Sequence, residues 1–232
     1  MSFQEEYAQK LTTADKAVQA VKSGDWVDYG FNCGTVHDLD IALAKYIPNL
    51  KDVKVRVGIE METPKIFDVP DAQDHFSVYS WFYAGSERHY ASKRFITTVP
   101  HRFSEMPGYY RNELPPIDVA MCQVSPMDKH GYFSFGPSGA MQYSVFQHII
   151  VEVNPKLPRC LGGYQESVPI SKVDAIVDMQ DPYVRCMPDS KPSTEVDLAV
   201  AKQIVKMIPN GACLQLGIGG MPNTVGSLLA ES

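Results

Sequence analysis

Val53, Val55, Val57 and Ile59 alternate with Lys54, Arg56 and Gly58, and this period of two predicts a strand over residues 53–59. Upstream, Ala14, Ala17, Val18 and Val21 form one apolar stripe at helical spacing, preceded by Thr12 and Asp15 at capping-box spacing and followed by Ser23 and Gly24. A helix is expected there, with a strand over residues 26–31 after it. Thr35 and Asp38 repeat the capping-box spacing ahead of Leu39, Ala42, Leu43 and Tyr46. Strand, helix, strand makes a βαβ unit with a right-handed crossover. Further strand compositions occur at residues 76–82, 95–99, 119–124 and 148–153, and residues 128–131 read as a turn leading into residues 132–135. The expected class is therefore α/β, an open, mostly parallel sheet with flanking helices.

Three prolines, Pro182, Pro188 and Pro192, punctuate residues 181–193, so that stretch reads as a linker. It divides an N-terminal α/β domain, residues 1–180, from the beginning of a second one, residues 194–232. The second opens with Thr194 and Asp197 as a capping box, a helix through Ile204, Val205 and Ile208, and a buried-type strand from Gly211 to a turn at Gly217. Gly24 and Gly30 bracket the first strand as Gly211 and Gly217 bracket this one. That is a weak internal repeat or shared βαβ grammar.

A chain of 232 residues, 44% hydrophobic, can bury a proper core in one large domain or two smaller ones. Its formal charge is -6, with 21 Lys plus Arg scattered singly, which leaves no basic stripe for nucleic acid. No leader pattern opens the sequence and no long apolar window interrupts it, so a cytoplasmic protein without a membrane partner is expected. Five cysteines, far apart and odd in number, suit reduced thiols.

The chemistry concentrates where Gln215-Leu-Gly-Ile-Gly-Gly-Met-Pro-Asn223 runs from a strand through a glycine turn into a helix. Amides in such a turn can close on an anion or an acyl oxygen, or the turn merely reverses the chain. As a dinucleotide fingerprint it fails at Pro222, where close helix packing wants Gly or Ala. Gln215 is a polar residue within the expected strand, placed to meet a ligand at the sheet's carboxyl edge or to bond inside the core. Asn32, Cys33 and Gly34 occupy the matching place after the first strand. Residues 136–139 break the spacing of a nucleophile elbow. The six histidines form no metal-ligand spacing. Tyr79, Trp81, Phe82 and Tyr83 could stack a base, or serve as core and half-buried edge.

Three ordered blocks carry a resemblance: Asp118-Val-Ala-Met-Cys-Gln-Val-Ser-Pro-Met-Asp-Lys-His-Gly-Tyr-Phe-Ser-Phe-Gly136, Ile150-Val-Glu-Val-Asn154, and Gln215 to Asn223. Together they resemble the family I CoA-transferases, and among these the butyryl-CoA:acetate and 4-hydroxybutyrate enzymes. The resemblance implies exchange of CoA between an acyl-CoA and a carboxylate such as acetate, through a glutamyl-CoA thioester, with ping-pong kinetics. It implies no tightly bound cofactor and no metal, the CoA thioester being substrate. Gly217, Ile218, Gly219, Gly220 and Met221 match the CoA-contacting turn, while Gln215 and Asn32 match positions near the reacting centre. The nucleophilic glutamate is expected beyond Ser232, because Glu231 comes too early and reads as a solvated helical carboxylate. Family members are about twice this length. The sequence thus reads as the N-terminal part of a longer, homo-oligomeric enzyme, inactive alone. An acyl-CoA hydrolase of the same superfamily and a non-catalytic nucleotide- or ligand-binding module are the competing readings.

Overall fold

The computed structural model describes residues 2–138, 145–163, 165–186 and 192–231. They form two compact units, Met1–Cys186 and Met187–Ser232. The first is built on seven strands in the order β4-β3-β2-β1-β5-β7-β9: β1 Trp26–Asp28, β2 Val53–Val57, β3 Phe76–Ser80, β4 Ile96–Thr98, β5 Ile117–Val124, β7 Phe146–Val153 and β9 Ala175–Asp178. All neighbours in this sheet are parallel. Strands β6 Tyr132–Ser134 and β8 Ser167–Pro169 form a separate antiparallel pair. The chain winds outward from β1 to β4, then returns to the centre with β5 and winds the other way. The strand order therefore reverses between β1 and β5, and the carboxyl edge at such a switch point is where open α/β sheets bind ligands.

Helices cover the sheet because parallel strands need crossovers. They are α1 Phe3–Lys10, α2 Ala14–Ala17, α3 Asp38–Tyr46, α4 Gly85–His89 and α5 Met106–Gly108, the last running into a π turn at Tyr109–Glu113. Along β5, Val119 and Met121 join one apolar cluster with Leu39, Leu43 and Ile47 of the α3 side. Cys122 and Val124 join another with Phe133 and Phe135. Both faces are thus covered, which is why β5 and β7 read as nearly continuous apolar runs. Each fully buried Leu or Ile here contributes about 1.5–3 kcal/mol.

Three local expectations are corrected. The capping box at residues 12–15 does not form: Thr13 precedes α2 without a side-chain bond, and the Thr12 amide donates to Ile176 O on β9 (2.8 Å). The helix shrinks to α2 and a 3-10 turn at Val18–Ala20, and α1, with a true Ser2–Glu5 capping box, precedes it. The box at residues 35–38 is absent too, because Thr35 turns back to Asn32 O (2.9 Å). Residues 132–135 follow the expected turn, with the Asp128 carboxylate taking the amides of His130 and Tyr132, and β6 pairs with β8.

In the second unit, α6 Glu195–Lys206 carries the expected Thr194–Asp197 capping box and α7 Gly220–Ala230 follows. Residues 212–216 are not a strand; Leu214 and Leu216 are about half exposed. A strand exists only with a neighbour to complete its ladder, and these residues have none among the described residues. The glycine repeat therefore frames a strand in its first copy alone.

Candidate functional site

The loop after β1 is forced into shape by its own crowding. Gly30 has φ +76°, and a Cβ there would lie 2.6 Å from the Gly34 carbonyl oxygen. Gly30→Ala should therefore lower stability by about 2 kcal/mol or more, from left-handed strain plus a backbone clash; a denaturant midpoint unchanged from the parent would refute this. Asn32 follows in the left-handed region at φ 55°, which asparagine tolerates. Its amide donates to Gly58 O (3.1 Å), joining the loops after β1 and β2. The Phe31 ring lies over Gly58, where a Cβ would come within 2.2 Å of it.

Beside this loop, the carboxyl edge holds a chain of buried polar side chains. Gln123 of β5 donates to Glu152 of β7 (2.9 Å) and accepts from Asn154 Nδ2 (3.0 Å), which also donates to Tyr183 O (2.7 Å). The Glu152 carboxylate accepts the amides of His37 (2.9 Å) and Leu39 (2.9 Å). It thus supplies from another strand the cap that Thr35 does not, and places negative charge at the N-terminus of α3. Burial still pushes its carboxyl above the usual range, these amides acting in the opposite sense. Asp40, on α3, takes the amides of Lys65 (2.5 Å) and Ile66 (3.1 Å) and is pushed up to about 6 by burial.

Arg185 closes the same edge. Its side chain is 5% exposed; it donates to Glu62 (3.2 Å) and to Thr35 O (2.8 Å). Arg185, Tyr183 and Glu62 form a polar rim, the Tyr183 hydroxyl also donating to Glu62 (2.7 Å). The pair holds the Glu62 carboxyl below its ordinary value against a desolvation effect that runs the other way. Cys33 is buried with Sγ 3.2 Å from Ser138 Oγ.

The second unit holds the glycine turn. Gly219, at φ +137°, precedes α7, and Gly220, Met221 and Pro222 make its first turn. The helix thus begins two residues before the proline. Gly217, Ile218 and Gly220 are exposed, Ile218 at 83%, leaving the first amides of α7 open to a ligand's oxygen. Gln215 is exposed and lies outside any strand, so neither expected environment, a strand edge or a core, is formed around it. Asn32 belongs to the first unit, while Gln215 and residues 217–221 belong to the second.

Glu152 and Asn154 stand within the Ile150 to Asn154 block, where local spacing assigns them no role. A carboxylate flanked by Val151 and Val153 in a buried strand was the available signal. Among the described residues no group of three His, Cys, Asp or Glu could hold a metal ion, and no helix is long and apolar enough to cross a membrane.

The family model described as "Acetyl-CoA hydrolase/transferase N-terminal domain" matches residues 1–188. The chain belongs to this family. It is 52% identical to a butyryl-CoA:acetate CoA-transferase of Anaerostipes caccae, covering 100% of this chain and 53% of that protein. It is 42% identical to a probable butyrate:acetyl-CoA coenzyme A-transferase of Syntrophomonas wolfei, covering 98% and 51%. The crystal structure of RipA from Yersinia pestis superposes with a TM-score of 0.87 at 32% identity, over 99% of this chain and 55% of that one. The chain thus spans about half the length of the relatives it matches.

Proposed function

We propose that the whole protein moves CoA between a short-chain acyl-CoA, with butyryl-CoA as the leading donor, and a carboxylic acid such as acetate. The observation that carries this is the 52% identity to a butyryl-CoA:acetate CoA-transferase across the entire chain. In the proposed reaction a glutamate carboxylate, placed beyond these residues, attacks the acyl carbon. The C–S bond breaks, CoA leaves as thiolate, and an acyl-glutamyl anhydride remains. The thiolate then attacks the glutamyl carbonyl, the anhydride C–O bond breaks, and the first carboxylate departs from a glutamyl-CoA thioester. A second acid reverses the sequence, giving ping-pong kinetics.

Each step passes through an oxyanion, so donors fixed before the reaction lower its barrier. The turn of Gly217, Ile218, Gly219, Gly220 and Met221 is proposed to supply amides to the thioester or its oxyanion, with Gln215 and Asn32 near the reacting carbons. What supports this is the left-handed Gly219 and the uncovered helix start behind it. The reading includes a cytoplasmic, homo-oligomeric protein, without tightly bound cofactor, metal or nucleic acid.

The test is a product assay on the whole protein with butyryl-CoA and acetate. Transfer gives acetyl-CoA and butyrate without free thiol, whereas a hydrolase releases thiol whether or not acetate is present. Gly219→Val places a branched side chain at φ +137° and should reduce kcat/KM by about 10²-fold, the scale of losing an oxyanion donor. Kinetics equal to the parent's would remove the turn from the mechanism.

A further inference from the structure

A buried clamp holds the loop after β1. Asp28, the last residue of that strand and only 2% exposed, accepts the Gly30 amide on Oδ1 (3.0 Å) and the Tyr110 hydroxyl on Oδ2. Tyr110 is itself buried in the π turn at Tyr109–Glu113, and its oxygen also accepts from Trp81 Nε1 (3.1 Å), just past β3. An indole nitrogen only donates and a hydroxyl has one proton, so that proton is committed to Asp28. Arg56, opposite Asp28 in the β1–β2 register, stacks on Trp26 (4.5 Å) and Tyr110 (5.4 Å). Its charge favours the Asp28 carboxylate, against the burial that raises its pKa. Three connections, after β1, after β3 and before β5, therefore meet on one carboxyl group.

What the clamp fixes is backbone that needs outside support. Gly30 at φ +76° and Asn32 at φ 55° both occupy the left-handed region, and such conformations persist where the surroundings over-determine them. The half-buried Asn32 side chain makes no hydrogen bond of its own among the described residues. Its direction is set by the backbone alone. That backbone is held by Gly58 O on the Asn32 amide (3.1 Å), by Thr35 Oγ1 on its carbonyl (2.9 Å) and, two residues upstream, by Asp28 on the Gly30 amide. For stability, apolar residues of similar volume would serve as well as a buried acid and arginine. A charged, hydrogen-bonded clamp anchored in a π turn, an irregularity frequent at functional sites, suits the aiming of a side chain at the sheet's switch point.

We propose that Tyr110 and Asp28 are positioning residues for CoA transfer: Tyr110 clamps Asp28, Asp28 fixes the Gly30 amide, and the loop so fixed aims the Asn32 carboxamide at the oxyanion that forms during transfer. This deepens the transferase reading and rests on it for what Asn32 faces. Amide exchange separates the two, because it reads the clamp without turnover.

The whole protein is assayed with butyryl-CoA and acetate as the parent, Tyr110→Phe, Asn32→Ala and the double variant, and hydrogen exchange of residues 29–36 is followed by mass spectrometry. Tyr110→Phe should lower kcat by about 10–100-fold, the scale of a misaimed group, with KM for butyryl-CoA within about twofold of the parent's. Exchange of residues 29–36 should quicken by about tenfold, the scale of one hydrogen bond. Asp28→Asn, whose carboxamide can accept from Gly30 and donate to the Tyr110 oxygen, should stay closer to the parent than Tyr110→Phe does. Asn32→Ala should lower kcat by about 10²-fold, and adding Tyr110→Phe to it should cost nothing more, since no side chain remains to be aimed. Unchanged exchange in Tyr110→Phe, a kcat that holds while exchange quickens, or losses that multiply in the double variant would each overturn the proposal. A parent protein that yields no acetyl-CoA contradicts the transferase reading instead, and the exchange comparison then decides the clamp by itself.

Discussion

Replacing Glu152 by leucine should destabilise the first unit by about 3–5 kcal/mol, enough to rank among the most damaging single changes available. The leucine fills much of the space but leaves the His37 and Leu39 amides and Gln123 Nε2 without the acceptor they share. Each buried donor so orphaned costs about 1–3 kcal/mol. The loss propagates toward the site, since Glu152 fixes the start of α3, and Gln123 in turn holds Asn154. Glu152→Gln keeps one acceptor and should fall between the two. Urea unfolding decides the matter: a leucine variant within 1 kcal/mol of the parent (~1 kcal/mol being an ordinary substitution) would show that water or rearranged side chains replace the cap.

The second large effect is a stability that rises as the solution is made mildly acidic, opposite to proteins stabilised by paired carboxylates. Asp40 titrates near 3.8 when unfolded and at about 6 when folded, with burial the largest cause. The folded state therefore binds the proton more tightly. The stabilisation is complete below about pH 4 and is lost as pH climbs through 6, a difference of about 3 kcal/mol by linkage. Asp28, Glu60 and Glu152 are raised by burial as well, so their contributions have the same sign. Asp128 and Glu62 are lowered, but both sit where solvent screens them, and their opposing effect is small. Between pH 8 and pH 5.5 Asp40 alone supplies about 1 kcal/mol of this, so the melting temperature should be about 2–4 °C higher at pH 5.5 than at pH 8, given about 2–4 °C per kcal/mol at this size. Asp40→Asn should flatten that slope. A midpoint that falls on acidification from pH 8 to 5.5 would contradict the buried-carboxyl account.

Where an element stands on its own periodicity, the sequence disclosed it. Val53, Val55 and Val57 are all buried in β2, and the apolar runs of β5 and β7 reported strands covered on both faces. What depended on partners distant in sequence was hidden. Residues 212–216 have strand composition but no ladder, and Thr12 and Thr35 have capping-box spacing while their bonds go elsewhere. The cap of α3 comes from Glu152, 115 residues from His37, a relation no local window can contain. The glycine turn and Asn32 were legible because left-handed backbone has a residue signature.

The most direct test of the central claim is the intact mass of the whole protein after mixing with butyryl-CoA alone. The transferase account expects a gain equal to CoA joined as a thioester, with butyrate released, and return to the original mass when acetate is added. An unchanged mass while butyryl-CoA is consumed to free CoA and butyrate would contradict it.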